Sequence, residues 1–374
     1  MGLFAFFRRR KRPEHTTSPP SPGISVKVVQ RDFSSQELRL QQYDEIAEIR
    51  KQQSASIPSK NGLRPHEILL LSFAPRLFVG QKDFPQYWYY KYAVNDPAAL
   101  LKSLELRGFI RDGTATESLN NLTIPELKSI LLENNLKTTG KKADLVSRLA
   151  DNVAPEIIEK KVVHRRYVLT ELGKEELSEN EYVMYLHSHN IGVSVWDISK
   201  DMQGYPNKLW RDRIWAALNK NSLDAMRYAE NGNYYPLIQT METQSDFLLE
   251  EGKADAALGI IINAFYIEFA FAVPSRLKLE AELREHNVKA SPCPSYSELV
   301  SESCSYRFSK LRKTLEKYWP DEPPMEIINS KCQRINFRND ILRRDEFVAM
   351  IVSYLVDDAP SFHSICERVQ RTIF

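Results

Sequence analysis

Apolar positions in this chain recur mostly at helical spacing, and only short stretches read as strand. The globular pattern starts at Leu63, where Pro65-His66-Glu67-Ile68-Leu69-Leu70-Leu71 predicts a helix with proline in its first turn. Asp96 is placed to cap a second helix, with Pro97 at its first position and Leu100, Leu101, Leu104 and Leu106 following. Gly108 ends that helix, and Phe109-Ile110-Arg111 begins an extended segment. Well downstream, Arg166 to Leu169 reads as a strand, Thr170 as a cap, and Glu171 to Leu177 as a helix. Gly192 to Ile198 fits either a strand or the start of a buried helix. From Trp210 the pattern is helical nearly throughout, punctuated by Gly232, Gly252, Pro274, Pro292 and Pro320. In the tail, Phe347, Ile351, Tyr354 and Leu355 form one apolar face. The fold class expected is mostly α with minor β.

Between the two extended segments lies Asn121 to Leu149, where the local chemistry is most explicit. Thr123 and Glu126 make a capping box with Pro125 in the first turn, and Leu127, Ile130 and Leu131 follow at helical spacing. Asn134-Asn135 breaks this helix, and Leu136 returns to the core. A second helix starts after Thr139-Gly140, with Leu145, Val146 and Leu149 on its inner face. The amides of Lys141, Lys142 and Ala143 fall at that helix start, where the macrodipole favours an anion. Gly140 allows close backbone approach, and Lys137, Lys141 and Lys142 surround it with cations. Over Leu122 to Leu149, Lys128, Lys137, Lys141, Lys142 and Arg148 oppose Glu126, Glu133 and Asp144, a local charge of +2. Such a surface supports a few phosphate contacts and salt-dependent binding.

The stretch resembles the SAP motif, a DNA-binding helix-loop-helix. It has the family's leading Leu-x-x-x-x-Leu-Lys and its closing Gly-x-Lys-x-x-Leu-x-x-Arg-Leu, the latter running from Gly140 to Leu149. The resemblance implies duplex DNA as partner, with Lys128, Lys137, Thr139, Gly140, Lys141, Lys142 and Arg148 as contact residues. The flanking phrases LLKSLELRGFI and RYVLTELGKEEL resemble the two halves of bacterial winged-helix domains, here separated by more than fifty residues. The expected layout has a basic-aromatic arm and proline-rich linker over 1–23 and a polar helical linker over 24–62. A winged-helix-like domain over 63–200, split by the SAP motif at 121–150, precedes a helical domain over 205–374. In that domain, Gly252, Ala257 and Ala264 resemble one tetratricopeptide-type hairpin near 234–272, able to take a protein partner.

Charge modifies this picture in one place. The 374 residues contain 51 lysines and arginines against 49 acidic residues, a net +2, so any polyanion site is a local patch. Arg8, Arg9, Arg10, Lys11 and Arg12 follow Met-Gly-Leu-Phe-Ala-Phe-Phe, a combination suited to an anionic membrane surface or to nucleic acid. Phe6 stands where myristoylation needs serine or threonine, so no lipidation is expected. The longest apolar stretch, Leu258 to Val273, is interrupted by Asn263 and Glu268, and no membrane span is expected from it.

Catalytic chemistry finds little support. Cys293, Cys304, Cys332 and Cys366 form no CxxC pair, which points to free thiols in a reducing cytoplasm. His187 and His189 would share one side of an extended segment, but no carboxylate or cysteine nearby completes a metal site. No nucleophile elbow, Walker loop or zincin motif occurs, so no enzyme, cofactor, metal or small ligand is expected. Two function classes remain: a cytoplasmic DNA-binding scaffold or regulator, and a membrane-proximal adaptor whose SAP unit and helical domain bind proteins.

Overall fold

The computed structural model describes residues 35–374, apart from 205–207, 287–291, 334, 336, 338 and 339, with the side chains of 35–43, 203 and 204 also excluded. The arm with Arg8, Arg9, Arg10, Lys11 and Arg12, and the proline-rich linker, lie outside the described residues. The chain divides into Met1–Ala47 and Glu48–Phe374, and one helix, Ser35–Ala55, runs through the division. The larger of the two carries everything described below.

Its architecture is helical, with a single two-stranded sheet among the described residues. The first apolar core gathers Leu63, Ile68 to Leu71, Leu101, Leu104, Phe109 and Ile110 with Tyr182, Leu186, Trp196 and Ile214. Helix Pro65–Phe73 is started by its proline and by Glu67, whose carboxylate accepts from the Arg64 amide at 2.7 Å. The same carboxylate receives the Arg107 guanidinium at 2.7 Å, tying this helix to the end of the next, Pro97–Leu106. Asp96 caps that second helix through the Ala99 amide at 2.9 Å.

Gly108, at φ +81°, turns the chain out of Pro97–Leu106 into strand β1, Ile110–Asp112. β1 pairs antiparallel with β2, Tyr167–Leu169, in the register Ile110 with Leu169, Arg111 with Val168 and Asp112 with Tyr167. Thr170 locks the join, since its hydroxyl donates to the Gly108 and Phe109 carbonyls at 2.7 and 3.0 Å and accepts from the Gly173 amide at 3.1 Å. The helix that follows, Glu171–Glu179, lies against the same backbone: a Cβ on Gly173 would fall 2.2 Å from the Phe109 carbonyl oxygen. The two segments expected to come together from afar therefore do so, and residues 113–166 leave and re-enter at one point, where the Gly113 amide donates to the Arg166 carbonyl at 2.9 Å.

One local expectation is corrected, and one open alternative resolves to helix. Tyr185 to His187 is not extended, because it belongs to helix Glu181–Ser188, and Gly192 to Ile198 leads into a second helix, Val195–Gly204. The two histidines consequently part: the His187 ring nitrogen Nδ1 meets the Tyr92 hydroxyl at 2.6 Å, while His189 stacks on Tyr185 with ring centroids 4.1 Å apart. Among the described residues no cluster of histidine, cysteine and carboxylates is suited to a metal.

Beyond these, helices Trp210–Glu230, Tyr235–Glu250 and Ala254–Ile267 pack consecutively, and Gly252 at φ +72° turns the last two into a hairpin. Pro274 does not end the helix as expected. The chain continues helically from Ala254 to Glu285 by opening into a π-helical turn, Glu268–Ala272, just before the proline. A proline ring crowds the carbonyl four residues back and offers it no N–H, and one widened turn relieves that conflict. By length and composition this helix could cross a membrane, but 61% of its apolar window is buried inside the fold. It is the centre of the second core, surrounded by Tyr296, Leu299, Phe308, Leu311, Phe347, Ile351, Phe362 and Val369 from the helices that follow. The cysteines are free: Cys293 is exposed, and burial pushes the Cys304, Cys332 and Cys366 thiols up to about 12.

Because a methyl group at Gly173 has no room against a backbone carbonyl, Gly173→Ala should destabilise the protein by about 2–3 kcal/mol. Urea unfolding followed by circular dichroism would show it, and a midpoint equal to the parent's would mean the contact yields without cost.

Candidate nucleic-acid interface

The excursion between β1 and β2 has a small core of its own. Leu127, Ile130 and Leu131 from helix Ile124–Glu133 meet Leu145 and Leu149 from helix Lys142–Asn152, and the two helices are in direct contact. Residues outside the expected Leu122 to Leu149 complete it: Ala115 and Leu119 on the approach, and Val153, Ile158 and Val162 on the return. Those five escape a reading of the sequence because they fall one at a time at the ends or in the middle of short elements, such as Leu119 in Glu117–Asn121 and Ile158 in Pro155–Lys161, too short for a periodicity to mark them. Val146 is half-buried at the edge rather than inside.

Each helix start is built as the residue pattern demands. The Thr123 amide and hydroxyl both donate to the Glu126 carboxylate, at 2.6 and 2.7 Å, which with the nearby Lys142 charge holds that carboxyl below its usual range. Asn134 caps the end of this helix and Asn135 takes φ +55°, letting the Leu136 amide return to the Leu131 carbonyl at 2.8 Å. The connection from Leu136 to Gly140 then runs to the second helix without regular structure.

Arg148 shapes that connection. Its Nη1 donates to the Lys137 carbonyl and, at 3.1 Å, to the Thr139 carbonyl, so the guanidinium reaches back over the chain that precedes its own helix. Thr139 presents its carbonyl inward to this arginine, while the residue itself is exposed. Gly140, at φ +136°, is in a conformation that favours glycine, and a Cβ there would stand 3.1 Å from Asp144. The glycine is thus needed for the cap itself, whatever approaches from outside.

One expected donor is already used. The Lys141 amide donates to the Asp144 carboxylate at 2.9 Å, the reciprocal half of a cap, and so does not point to an outside anion. The amides of Lys142 and Ala143 occupy the first helical turn, where no intrahelical carbonyl can reach them. Around that turn the side chains of Lys137 and Lys141 are exposed and that of Lys142 is half-buried; Lys128 is exposed on the leading helix. Opposing charges are partly neutralised elsewhere: Glu133 pairs with Lys161 at 2.6 Å, and this lysine holds the Glu133 carboxyl below its usual range. The outcome is a lysine-bearing helix N-terminus beside a tightly organised glycine turn.

The near end of the excursion is pinned by charge as well. Arg111, on β1, grips Glu117 with both guanidinium nitrogens, at 2.9 and 2.6 Å, while the Thr114 amide donates to the same carboxylate at 2.8 Å.

Compared with known families, residues 118–154 match the family model of the SAP domain, an interval that takes in Leu119 and Val153 of the observed core. No curated protein and no solved structure matches the chain. SAP domains generally bind DNA, and a nucleic-acid partner is the function class to which this region points.

The Arg111 bond, followed by the Thr114 amide, lowers the Glu117 carboxyl from its ordinary 4.5 to about 2. A depressed carboxyl contributes its stabilisation in full above pH 4.5 and loses it as pH falls toward 2. Carboxyl-detected NMR titration should find Glu117 ionised at pH 3, and in Arg111→Ala its midpoint should climb back toward the ordinary value. A Glu117 midpoint near 4.5 in the parent would remove the pairing from solution.

Proposed function

We propose that the protein is a DNA-binding scaffold or regulatory protein of the cytoplasm, acting by binding rather than by catalysis. Its SAP domain holds duplex DNA by phosphate contacts that do not read the bases. The observation that carries this reading is the cluster of Lys137, Lys141 and Lys142 around the first turn of helix Lys142–Asn152, next to Gly140. Two open amides, a positive helix end and three long cationic side chains are complementary to a phosphate oxygen and to its neighbours along a strand. Lys128 extends the positive surface along the leading helix. Arg148 serves as the brace of the connection, because its guanidinium is committed to two carbonyls. Thr139 and Gly140 set the backbone path rather than carrying charge.

A second reading rests on the same leading helix. Ile124 and Leu132 are exposed at 44% and 70%, and with Lys128 they fall at four-residue intervals on one face. Such a face suits a protein partner, as in the adaptor alternative, in which the arm Arg8 to Arg12 would meet an anionic membrane.

Fluorescence anisotropy with duplex DNA separates the two. Lys141→Glu combined with Lys142→Glu should lower affinity by an order of magnitude or more and flatten the slope of log affinity against log salt by about 1.8. The loss should be alike on unrelated DNA sequences. Stability should change by no more than about 0.5 kcal/mol, since acidic residues are favoured in a first helical turn. If the double variant binds as tightly as the parent at every salt concentration, the lysines are solvated surface and the adaptor reading takes precedence. Liposome flotation that depends on residues 1–12 would then be its positive sign.

A further inference from the structure

A cavity of about 610 Å³ opens on the helical half of the molecule, between helices Tyr235–Glu250 and Tyr296–Tyr318 and the π-helical turn Glu268–Ala272. Three ionic side chains form its floor. Arg307, 4% exposed, directs Nε and Nη2 to one oxygen of Glu242, at 2.9 and 2.8 Å. Its Nη1 donates to the Cys304 thiol at 3.2 Å and lies 3.6 Å from Glu268, too far for a hydrogen bond. Glu268 is itself nine-tenths buried, at 8% exposure, and its carboxylate receives no hydrogen bond from the described residues.

One guanidinium thus faces two carboxylates, and its hydrogen bonds go to only one of them. Neighbouring charges do not restore the balance. Arg276, at the rim, pairs outward with Glu302 at 3.1 Å, and Lys310, behind the floor, pairs with Asp246 at 2.6 Å. Glu268 therefore keeps open acceptor positions beside its 3.6 Å ion pair with Arg307, and a carboxylate this deeply placed is stabilised when further donors reach it. The π turn is what sets Glu268 there, and turns of this kind occur frequently at functional sites. Above the floor, Tyr234, Tyr235 and Tyr306 line the walls, with Tyr235 and Tyr306 at 71% and 66% exposure, and Leu279 adds an apolar edge. Aromatic faces over a buried anionic floor are complementary to an organic cation on an apolar stem.

We propose that this cavity binds an alkyl-guanidinium or alkyl-ammonium group, with Glu268 accepting its N–H donors and Tyr235 and Tyr306 flanking the stem. The group comes either from a free amine or from an arginine or lysine side chain of a protein partner. Binding at this site is independent of DNA.

Isothermal titration of the full chain with agmatine, with the blocked peptide acetyl-Gly-Arg-Gly-amide, and with its glutamine counterpart tests the proposal. Saturable binding of agmatine and the arginine peptide, without binding of the glutamine peptide, is the expected result. Agmatine alone would identify a free amine as the source, and the peptide alone a partner's side chain. Glu268→Gln should weaken binding at least about tenfold. Tyr235→Ala, at a solvent-facing position where folding is not in question, should weaken it about three- to fivefold. Absence of binding by the parent, equal binding of the glutamine peptide, or unchanged affinity in both variants would overturn the assignment.

Discussion

The join between β1 and β2 is the constraint on which the remaining architecture rests. Three residue pairs make the ladder, and the Thr170 hydroxyl adds bonds to two consecutive carbonyls beyond it. Alone, a two-stranded ribbon this short is marginal in water. It persists because Phe109 and Ile110 are buried in the first core and because Gly173 lets helix Glu171–Glu179 lie directly on the Phe109 backbone. The Phe78–Arg166 bridge, with the Arg166 guanidinium 4.9 Å from the Phe78 ring, adds a further contact on the far side of β2. Were this join to open, the SAP domain would lose its fixed position and the first core would lose one wall.

The nucleic-acid interface depends on a different kind of economy. Few charges act there, so geometry has to organise them. Asp144 consumes one amide to hold the turn, Arg148 consumes two carbonyls to hold the connection, and Gly140, at φ +136°, makes the turn between them. The Lys141 amide, the Arg148 guanidinium and the Gly140 backbone, each of a kind that phosphates use, are given over to shaping the surface that Lys137, Lys141 and Lys142 present. Pre-forming that surface spares an ordering cost at the moment of binding.

Much of this was legible in the residue pattern, and the failures have physical causes. Proline at a first turn, aspartate or threonine at a cap and glutamate three residues on are local rules, so helices such as Pro65–Phe73, Pro97–Leu106 and Ile124–Glu133 stand where the pattern puts them. The strand pairing was visible only as two matching halves, since what joins them is non-local. Pro274 misled because the penalty it imposes on a helix can be absorbed by one π turn inside a well-packed core, a tertiary effect that no local rule contains. The histidines misled for a similar reason: His187 and His189 alternate like strand residues, yet Tyr182, Val183 and Leu186 bury a helical face around them. In the SAP region the motif residues were evident, whereas the use of Arg148 and of the Lys141 amide required knowing which carbonyl and which carboxylate lay nearby. The cavity above Glu268 left no trace in the sequence, as its floor combines residues from three helical segments.

The manner in which residues 113–166 depart and return has a mechanical consequence. Their two ends are adjacent, bridged by the Gly113–Arg166 hydrogen bond, and both continue directly into strands. A module hung on one strand can swivel freely, whereas one hung on two neighbouring strands is left with a single hinge axis. Tension arriving through the module is shared by both strands in the same direction, so it does not slide one past the other, and it passes into the core through Phe109 and Thr170 together. Torque about the strand direction, by contrast, meets the full lateral spacing of the pair. About the strand direction, the body of the protein therefore turns with whatever the SAP domain grips.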